Sequence, residues 1–254
     1  MKKAFTVLLA FVLCFSLFSC DKKTSPVEDF EYELENGEVV ITGYKGADRK
    51  IYIPKKIKNR PVSVIGFEAF KGYDLTHIVM PDTIKEIQKN AFYGCECLVS
   101  VKFSNNLEEI GQYAFWNCDL LTDLDFPKSL KRINACAFLK CSALKNVNLP
   151  KNLEFLACDS FASCESLKSL RIPDDTEMDM LLYEQMLGYD IGYMKEFKSP
   201  VGGSCIYYYT NKYSNAQNPG TFDELPTVLI VSDGSAAYEQ VKKYEKYGIQ
   251  YEVK

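Results

Sequence analysis

His77 is the only histidine in 254 residues. That argues against histidine-based catalytic dyads and triads, and against metal sites built from several imidazoles. An excess of basic charge is also missing. Thirty Lys+Arg stand against 34 Asp+Glu, a net −4. Removal of residues 1–19 would take Lys2 and Lys3 with it and leave 28 against 34, or −6. Scattered acidic charge without a basic patch argues against nucleic acid as a partner. There is no phosphate loop, since Gly202-Gly203 is not followed by Gly-Lys-Ser/Thr. Asp123 and Asp125 are a carboxylate pair, but they share one strand face with nothing apolar beside them to raise a pKa. A hydrolase acting on wall glycans is therefore the weakest reading, and no enzyme, catalytic residue, metal or cofactor is expected.

Long apolar runs are scarce as well. Ala4 to Phe18 is nearly unbroken, but it has only 15 residues, short of the about 20 needed to span a bilayer. Preceded by Lys2-Lys3, it reads as a secretory signal peptide over 1–19 and lies outside the fold. It ends Leu17-Phe18-Ser19-Cys20, which resembles a bacterial lipobox: an aliphatic residue, a small one, then the cysteine that is lipidated. Cys20 is the expected lipidation site, and the lipid the only membrane contact. Residues 20–29 (CDKKTSPVED) read as a polar tether.

What the sequence has in abundance is repetition. Ile87–Glu109, Ile110–Arg132, Ile133–Phe155 and Leu156–Met178 are four consecutive segments of 23 residues. Phe92, Phe115, Phe138 and Phe161 form one column, and Cys95, Cys118, Cys141 and Cys164 a second. Leu98, Leu121, Leu144 and Leu167 form a third, with Val101, Leu124, Val147 and Leu170 a fourth. No 23-residue unit can bury its own apolar face, so a fixed period means stacked turns. A 22-residue turn starts at Val62, with Phe70 in the phenylalanine column and Tyr73 replacing the cysteine. Residues 30–61 read as two or three short strands with a tight turn at Asn36-Gly37, an atypical unit that caps the stack. The hydrophobic content of 47% is enough for a sizeable core.

The stretches LTDLDFPKSLKRINACAFLKC and LKNVNLPKNLEFLACDSFASC resemble the BspA-like, or Treponema pallidum-type, leucine-rich repeat. The resemblance covers about residues 50–173, with Ser104 in place of the proline and Ser160 in place of the alanine of Ala-Phe. It implies an α/β-type solenoid: a right-handed superhelix with a parallel β-sheet face, an N-terminal β cap and a C-terminal strand-helix cap. It also implies a bacterial surface or envelope protein, some members being adhesins.

Strand alternation points Val147 and Leu149 inward and Asn146 and Asn148 outward. The outward columns are His77, Ser100, Asp123, Asn146 and Ser169, and Val79, Lys102, Asp125, Asn148 and Arg171. Equivalent residues stand roughly 4.8 Å apart along the stack. This row is the candidate face for a protein or glycan ligand, although it lacks aromatic anchors. Column cysteines beside apolar columns behave as small hydrophobes and are expected to be reduced and unmetallated, since one thiolate per turn cannot converge on a tetrahedron.

After Pro173 the repeat breaks. Residues 174–226 read as an insertion: a helix over Asp174–Phe197 with a Met178, Leu182, Met186, Tyr193 and Phe197 stripe, then a loop-like part with Tyr207, Tyr208 and Tyr209. Those three tyrosines are a secondary candidate for stacking on sugars or anchoring a partner. Residues 227–254 read as the closing cap: a strand over Thr227–Val231, a helix from Ala236 closed by Gly248, and a final strand. Its Ser-Asp-Gly-Ser turn and Tyr238 are similar to the closing unit of BspA-like proteins. The sum is an exported, lipid-anchored monomer on the outer membrane or cell surface that binds macromolecules through its repeats. The alternative is a scaffold that displays residues 174–226.

Overall fold

The computed structural model describes residues 24–157, 160–179, 228–244 and 251–254. In chain order the strands are β1 (Phe30–Glu35), β2 (Glu38–Tyr44), β3 (Lys50–Tyr52), β4 (Lys56–Ile57), β5 (Arg60–Ile65) and β6 (His77–Val79). Next come β7 (Glu86–Ile87), β8 (Ser100–Lys102), β9 (Glu109–Ile110), β10 (Asp123–Asp125), β11 (Arg132–Ile133) and β12 (Asn146–Asn148). The last are β13 (Phe155–Ala157), β14 (Ser169–Arg171), β15 (Glu177–Asp179), β16 (Val228–Val231), the helix α1 (Ala236–Tyr244) and β17 (Tyr251–Val253).

Each 23-residue turn contributes two strands, so the solenoid has two sheet faces rather than the single one expected. The expected face holds β3-β6-β8, β10-β12 and β14-β16-β17, three strips that follow one another along the stack. The unexpected face is the continuous one, β1-β2-β5-β7-β9-β11-β13-β15, parallel from β2 onward. Its strands β7, β9 and β11 have two residues each, too short to display the alternation that reveals a strand in sequence.

Both faces point into one core. Ile78, Leu124 and Leu170 reach it from one side, and Ile87, Ile110, Ile133 and Leu156 from the other. Between them runs the phenylalanine column. The rings of Phe70, Phe92, Phe115, Phe138 and Phe161 stack with centroids 5.1, 4.9, 5.1 and 5.2 Å apart and planes within 10° of parallel. Beneath the rings the backbone repeats too. Phe70, Phe92, Phe115 and Phe138 each donate N–H, at 2.7 Å, to the carbonyl preceding the phenylalanine of the next turn.

Two residues per turn take left-handed backbone angles so that the chain can corner between faces. Asn90, Tyr113 and Cys136 are at φ 60°, 57° and 57°, and Gly94, Asn117, Lys140 and Ser163 at 70°, 60°, 60° and 51°. Glycine and asparagine suit these angles; the other side chains take them at a cost that the packing around them offsets.

The ends are closed differently. At the start, β1 folds back on β2 through Asn36 and Gly37, both at positive φ. Tyr44 then meets Phe30, Phe70 and Tyr73 and finishes the aromatic column. A second hairpin, β4 to β5 through Lys58 and Asn59 at positive φ, was not legible in the sequence. At the other end, β16 and β17 extend the β14 strip in parallel. Ser235 caps α1 by accepting from the Tyr238 amide at 3.0 Å, and Ala237 and Val241 bury its inner side.

The helix expected from Asp174 does not start there: Glu177–Asp179 is a strand that pairs with β13. Tertiary pairing overrides the local helical pattern. Thr176 is fully buried and donates its hydroxyl to the Leu153 carbonyl, Glu177 N–H reaches the Glu154 carbonyl, and Met178 packs into the core. The rest of the expected helix, like the Tyr207–Tyr209 run and Cys20, lies outside the described residues. Ser169 and Val228 are register partners although 59 positions apart, against 23 for Asp123 and Asn146.

Two substitutions test this account. Phe115→Ala removes the ring at the centre of the column and should cost about 3–5 kcal/mol in denaturant melts. Ser163→Gly relieves a left-handed residue at φ 51° and should raise stability by about 1 kcal/mol; no gain would mean that Ser163 is not strained.

Candidate functional site

The expected outward residues do sit on the strands as read. His77 and Val79 lie on β6, Ser100 and Lys102 on β8, Asp123 and Asp125 on β10, Asn146 and Asn148 on β12, and Ser169 and Arg171 on β14. Parallel register sets His77 beside Ser100, Val79 beside Lys102, Asp123 beside Asn146 and Asp125 beside Asn148. From Ser100 onward every one of them is exposed, while His77 and Val79 are half-buried. The columns form three blocks rather than one unbroken row, because hydrogen-bonded pairing is interrupted between β8 and β10 and between β12 and β14.

Asp123 is committed within its block. Asn146 Nδ2 donates to one carboxylate oxygen at 2.6 Å and Thr122 Oγ1 to the other at 2.6 Å. The Asn146 and Thr122 hydrogen bonds hold its carboxyl below the usual carboxylate range, the opposite of what a general acid needs. Asp125, Asn148, Lys102 and Arg171, with the small Ser100 and Ser169, are the exposed side chains of these columns besides the Asp123 and Asn146 pair.

The cysteine column does more than fill space. Cys95, Cys118, Cys141 and Cys164 are buried free thiols. Each donates Sγ–H to the carbonyl of the phenylalanine one turn back, at 3.0, 3.5, 3.3 and 3.2 Å. A small side chain with a weak donor suits a buried carbonyl that would otherwise be under-satisfied. Burial pushes the Cys95 thiol up to about 12 and the Cys118 and Cys141 thiols well above their ordinary range. Among the described residues no group of three or more His, Cys, Asp or Glu is placed to hold a metal ion.

Sequence reasoning missed a groove of about 500 Å³ on the long sheet. Phe67, Glu86, Gln88, Lys89, Glu109, Asn134 and Phe155 are among the residues that line it. Gly111 forms its floor, because a Cβ there would lie 2.7 Å from backbone atoms of Gln88 and Lys89. The signal existed: Glu86, Glu109, Arg132 and Phe155 each precede the buried aliphatic column by one residue. It could not be read without knowing that this segment is a strand.

The comparisons follow from this architecture. Residues 63–185 match the family model for the BspA type leucine-rich repeat region, in six copies. A leucine-rich repeat protein of T. pallidum is 31% identical over 59% of this chain and 72% of its own, with a TM-score of 0.58. The chain belongs to the BspA-type leucine-rich repeat family. The pneumococcal vaccine antigen PcpA shares the fold at 24% identity and a TM-score of 0.51, over 61% of this chain and 45% of its own. No curated protein matches the chain. Among the described residues no helix is long and apolar enough to cross a membrane.

The thiol column gives two measurable consequences. At pH 8 and in the native state, iodoacetamide should modify half-buried Cys97 before any other of the described cysteines; at a pKa near 12 only about one Cys95 in ten thousand is a thiolate. Unfolding should release all four column thiols; failure of any to react would mean that they are oxidised. Stability should also depend on pH. The native Cys95, Cys118 and Cys141 thiols stay protonated where unfolded ones ionise, so the unfolded state binds fewer protons and is favoured as pH rises. Denaturation midpoints should fall from about pH 9 up to about 12, the window set by Cys95; Cys95→Ala should flatten that slope.

Proposed function

We propose that this BspA-type protein is a lipid-anchored, non-catalytic envelope protein that binds a protein or glycan partner through the outward strand residues of its repeats. The observation that supports this reading is the block of exposed polar side chains on β10 and β12, held in fixed register by a stack whose core is fully buried. Such a surface binds through many small contacts spread over strands spaced about 4.8 Å apart. The anchor would be Cys20. Ser25 is buried, its amide bonded to the Tyr52 carbonyl and its hydroxyl accepting from the Tyr52 amide at 3.0 Å. That clamp leaves five residues of tether, about 17 Å at full extension, so the cap end of the solenoid would face the membrane.

A scaffold that displays residues 174–226 is the second reading. It is favoured by the 59-residue spacing between Ser169 and Val228, 36 more than a regular turn needs.

Four outcomes decide between these. Cys20→Ala should abolish labelling by radioactive palmitate and move the protein out of the membrane fraction. Protease treatment of intact cells should remove the solenoid; survival until the envelope is opened would place it inside. On glycan and matrix-protein arrays, Asp125→Ala with Asn148→Ala should weaken binding about tenfold while stability stays within about 0.5 kcal/mol. Deletion of 180–227 should leave that binding intact, and its loss would favour the scaffold reading.

A further inference from the structure

The groove on the long sheet holds two carboxylates that no cation among the described residues pairs with, although Lys89, whose charge acts on Glu68, also lines it. Elsewhere on this side, carboxylates meet lysines across turns: Glu38 with Lys85 at 3.1 Å and Glu108 with Lys131 at 3.3 Å. Glu86 and Glu109 are register partners on adjacent strands, one position after that Glu108 pair. Among the described residues no cation lies within ion-pair distance of either. Arg132, the partner of Glu109 on β11, turns instead onto the Phe155 ring at 4.2 Å. Glu109 is fixed by Asn134 Nδ2 at 2.7 Å. Glu86 is half-buried, and its desolvation and the nearby charges of Glu109 and Glu35 raise its carboxyl above the ordinary range. A half-buried pair of like charges costs stability; the Gln88 and Asn134 side chains hydrogen-bond Glu86 and Glu109, but among the described residues no cation offsets the repulsion.

The rim is unusual in the same way. Several other surface rings are covered: Lys58 lies over Tyr32, Lys71 over Tyr93 and Lys140 over Trp116, and Tyr93 and Trp116 stack on each other at 4.3 Å. Phe67 is 56% exposed, and among the described residues no cation covers it. Its backbone is held in place by Gln88, whose Oε1 accepts from the Phe67 amide at 3.0 Å. The groove thus runs from Phe67, just past β5, to Phe155 on β13. Four strand spacings span about 19 Å, the length of about six extended residues.

We propose that this groove docks a basic, extended peptide segment, with a lysine or arginine side chain seated between Glu86 and Glu109 and an apolar side chain covering Phe67. The cation would neutralise a pair that the fold hydrogen-bonds but does not ion-pair, and an exposed phenylalanine is the contact an apolar residue of such a segment would bury. A neutral glycan would leave the charge uncompensated. The site is on the opposite sheet from the outward rows of Asp125 and Asn148, so it stands or falls independently of the function proposed above.

The test uses the purified full chain and calorimetric titration at about 20 mM salt, where screening is weak. The probes are acetyl-Leu-Ala-Lys-Lys-Ala-Leu-amide, the same peptide with glutamates for lysines, and cellohexaose. The lysine peptide should bind with a Kd below about 1 mM, and the glutamate peptide and cellohexaose should give no heat. The double variant Glu86→Gln/Glu109→Gln, which removes repulsion and should fold at least as well, should weaken binding about tenfold. Phe67→Ser should weaken it about fivefold, and Asp123→Asn/Asp125→Asn should leave it within about twofold. No heat with the lysine peptide, equal binding by the Glu86/Glu109 variant, or cellohexaose binding lost in that variant would each overturn the proposal.

Discussion

Each column phenylalanine from Phe70 to Phe138 gives its amide to the next turn and lays its ring on the next ring, and the rest of the molecule follows from that coupling. A ring spacing near 5 Å and a strand spacing near 4.8 Å agree, so side-chain stacking and backbone bonding reinforce one register. A turn that slipped by one residue would lose both together. This accounts for phenylalanine at every column position from Phe70 to Phe161, whereas the alanine before it becomes Ser160 without disturbing the stack. It also explains the cysteines. The phenylalanine carbonyl is buried beside the ring, and a thiol from the next turn reaches it with little added volume. A serine would hold that carbonyl more strongly but would bring a more polar atom into the core.

Because every turn depends on its neighbour, the two ends carry the cost of having only one. The first turn is covered by a hairpin whose Tyr44 stands in for another phenylalanine. The last is covered by strand pairing on β14 and by α1, whose Gln240 side chain accepts from the Met178 amide at 2.6 Å. The closing unit thus satisfies a backbone donor of β15 that a regular turn would have satisfied. Residues 180–227 leave after β15 and return at β16, in register with β14. Added chain length at that point costs the stack little, since both flanking strands already have partners.

The columns were legible in sequence because a 23-residue period repeats four times and six positions agree each time. The strands carrying Leu124 and Val147 were legible because their outward neighbours, Asp123 and Asp125 or Asn146 and Asn148, alternate with a buried leucine and a half-buried valine that pack toward the core. The long sheet was not. Glu109-Ile110 and Arg132-Ile133 are two-residue strands, and no alternation fits in two residues. The strand at Glu177 was masked by a methionine stripe that looks helical, because the β13 edge that captures it is 22 positions earlier in the chain. The groove was illegible for a further reason: Phe67 and Phe155 are 88 positions apart, and only the stacking of four turns makes them two ends of one surface.

This separation of roles bears on how such a surface acquires specificity. Inward columns are fixed by the phenylalanine register, so Ile110 or Leu121 cannot change without loss of packing. Outward positions such as Lys102, Asp125 and Asn148 touch little of the core, and a change there alters the surface and not the stack. Where outward residues serve only solubility, selection should favour neutral or oppositely charged neighbours across strands. The Glu108 and Lys131 pair meets that expectation. Glu86 beside Glu109 does not, although Arg132 is one strand away and could have met it. A repeat protein has at every turn the means to remove such a mismatch by one substitution. A like-charge pair in a groove, beside an exposed phenylalanine, is the feature that the proposed cationic partner would complement.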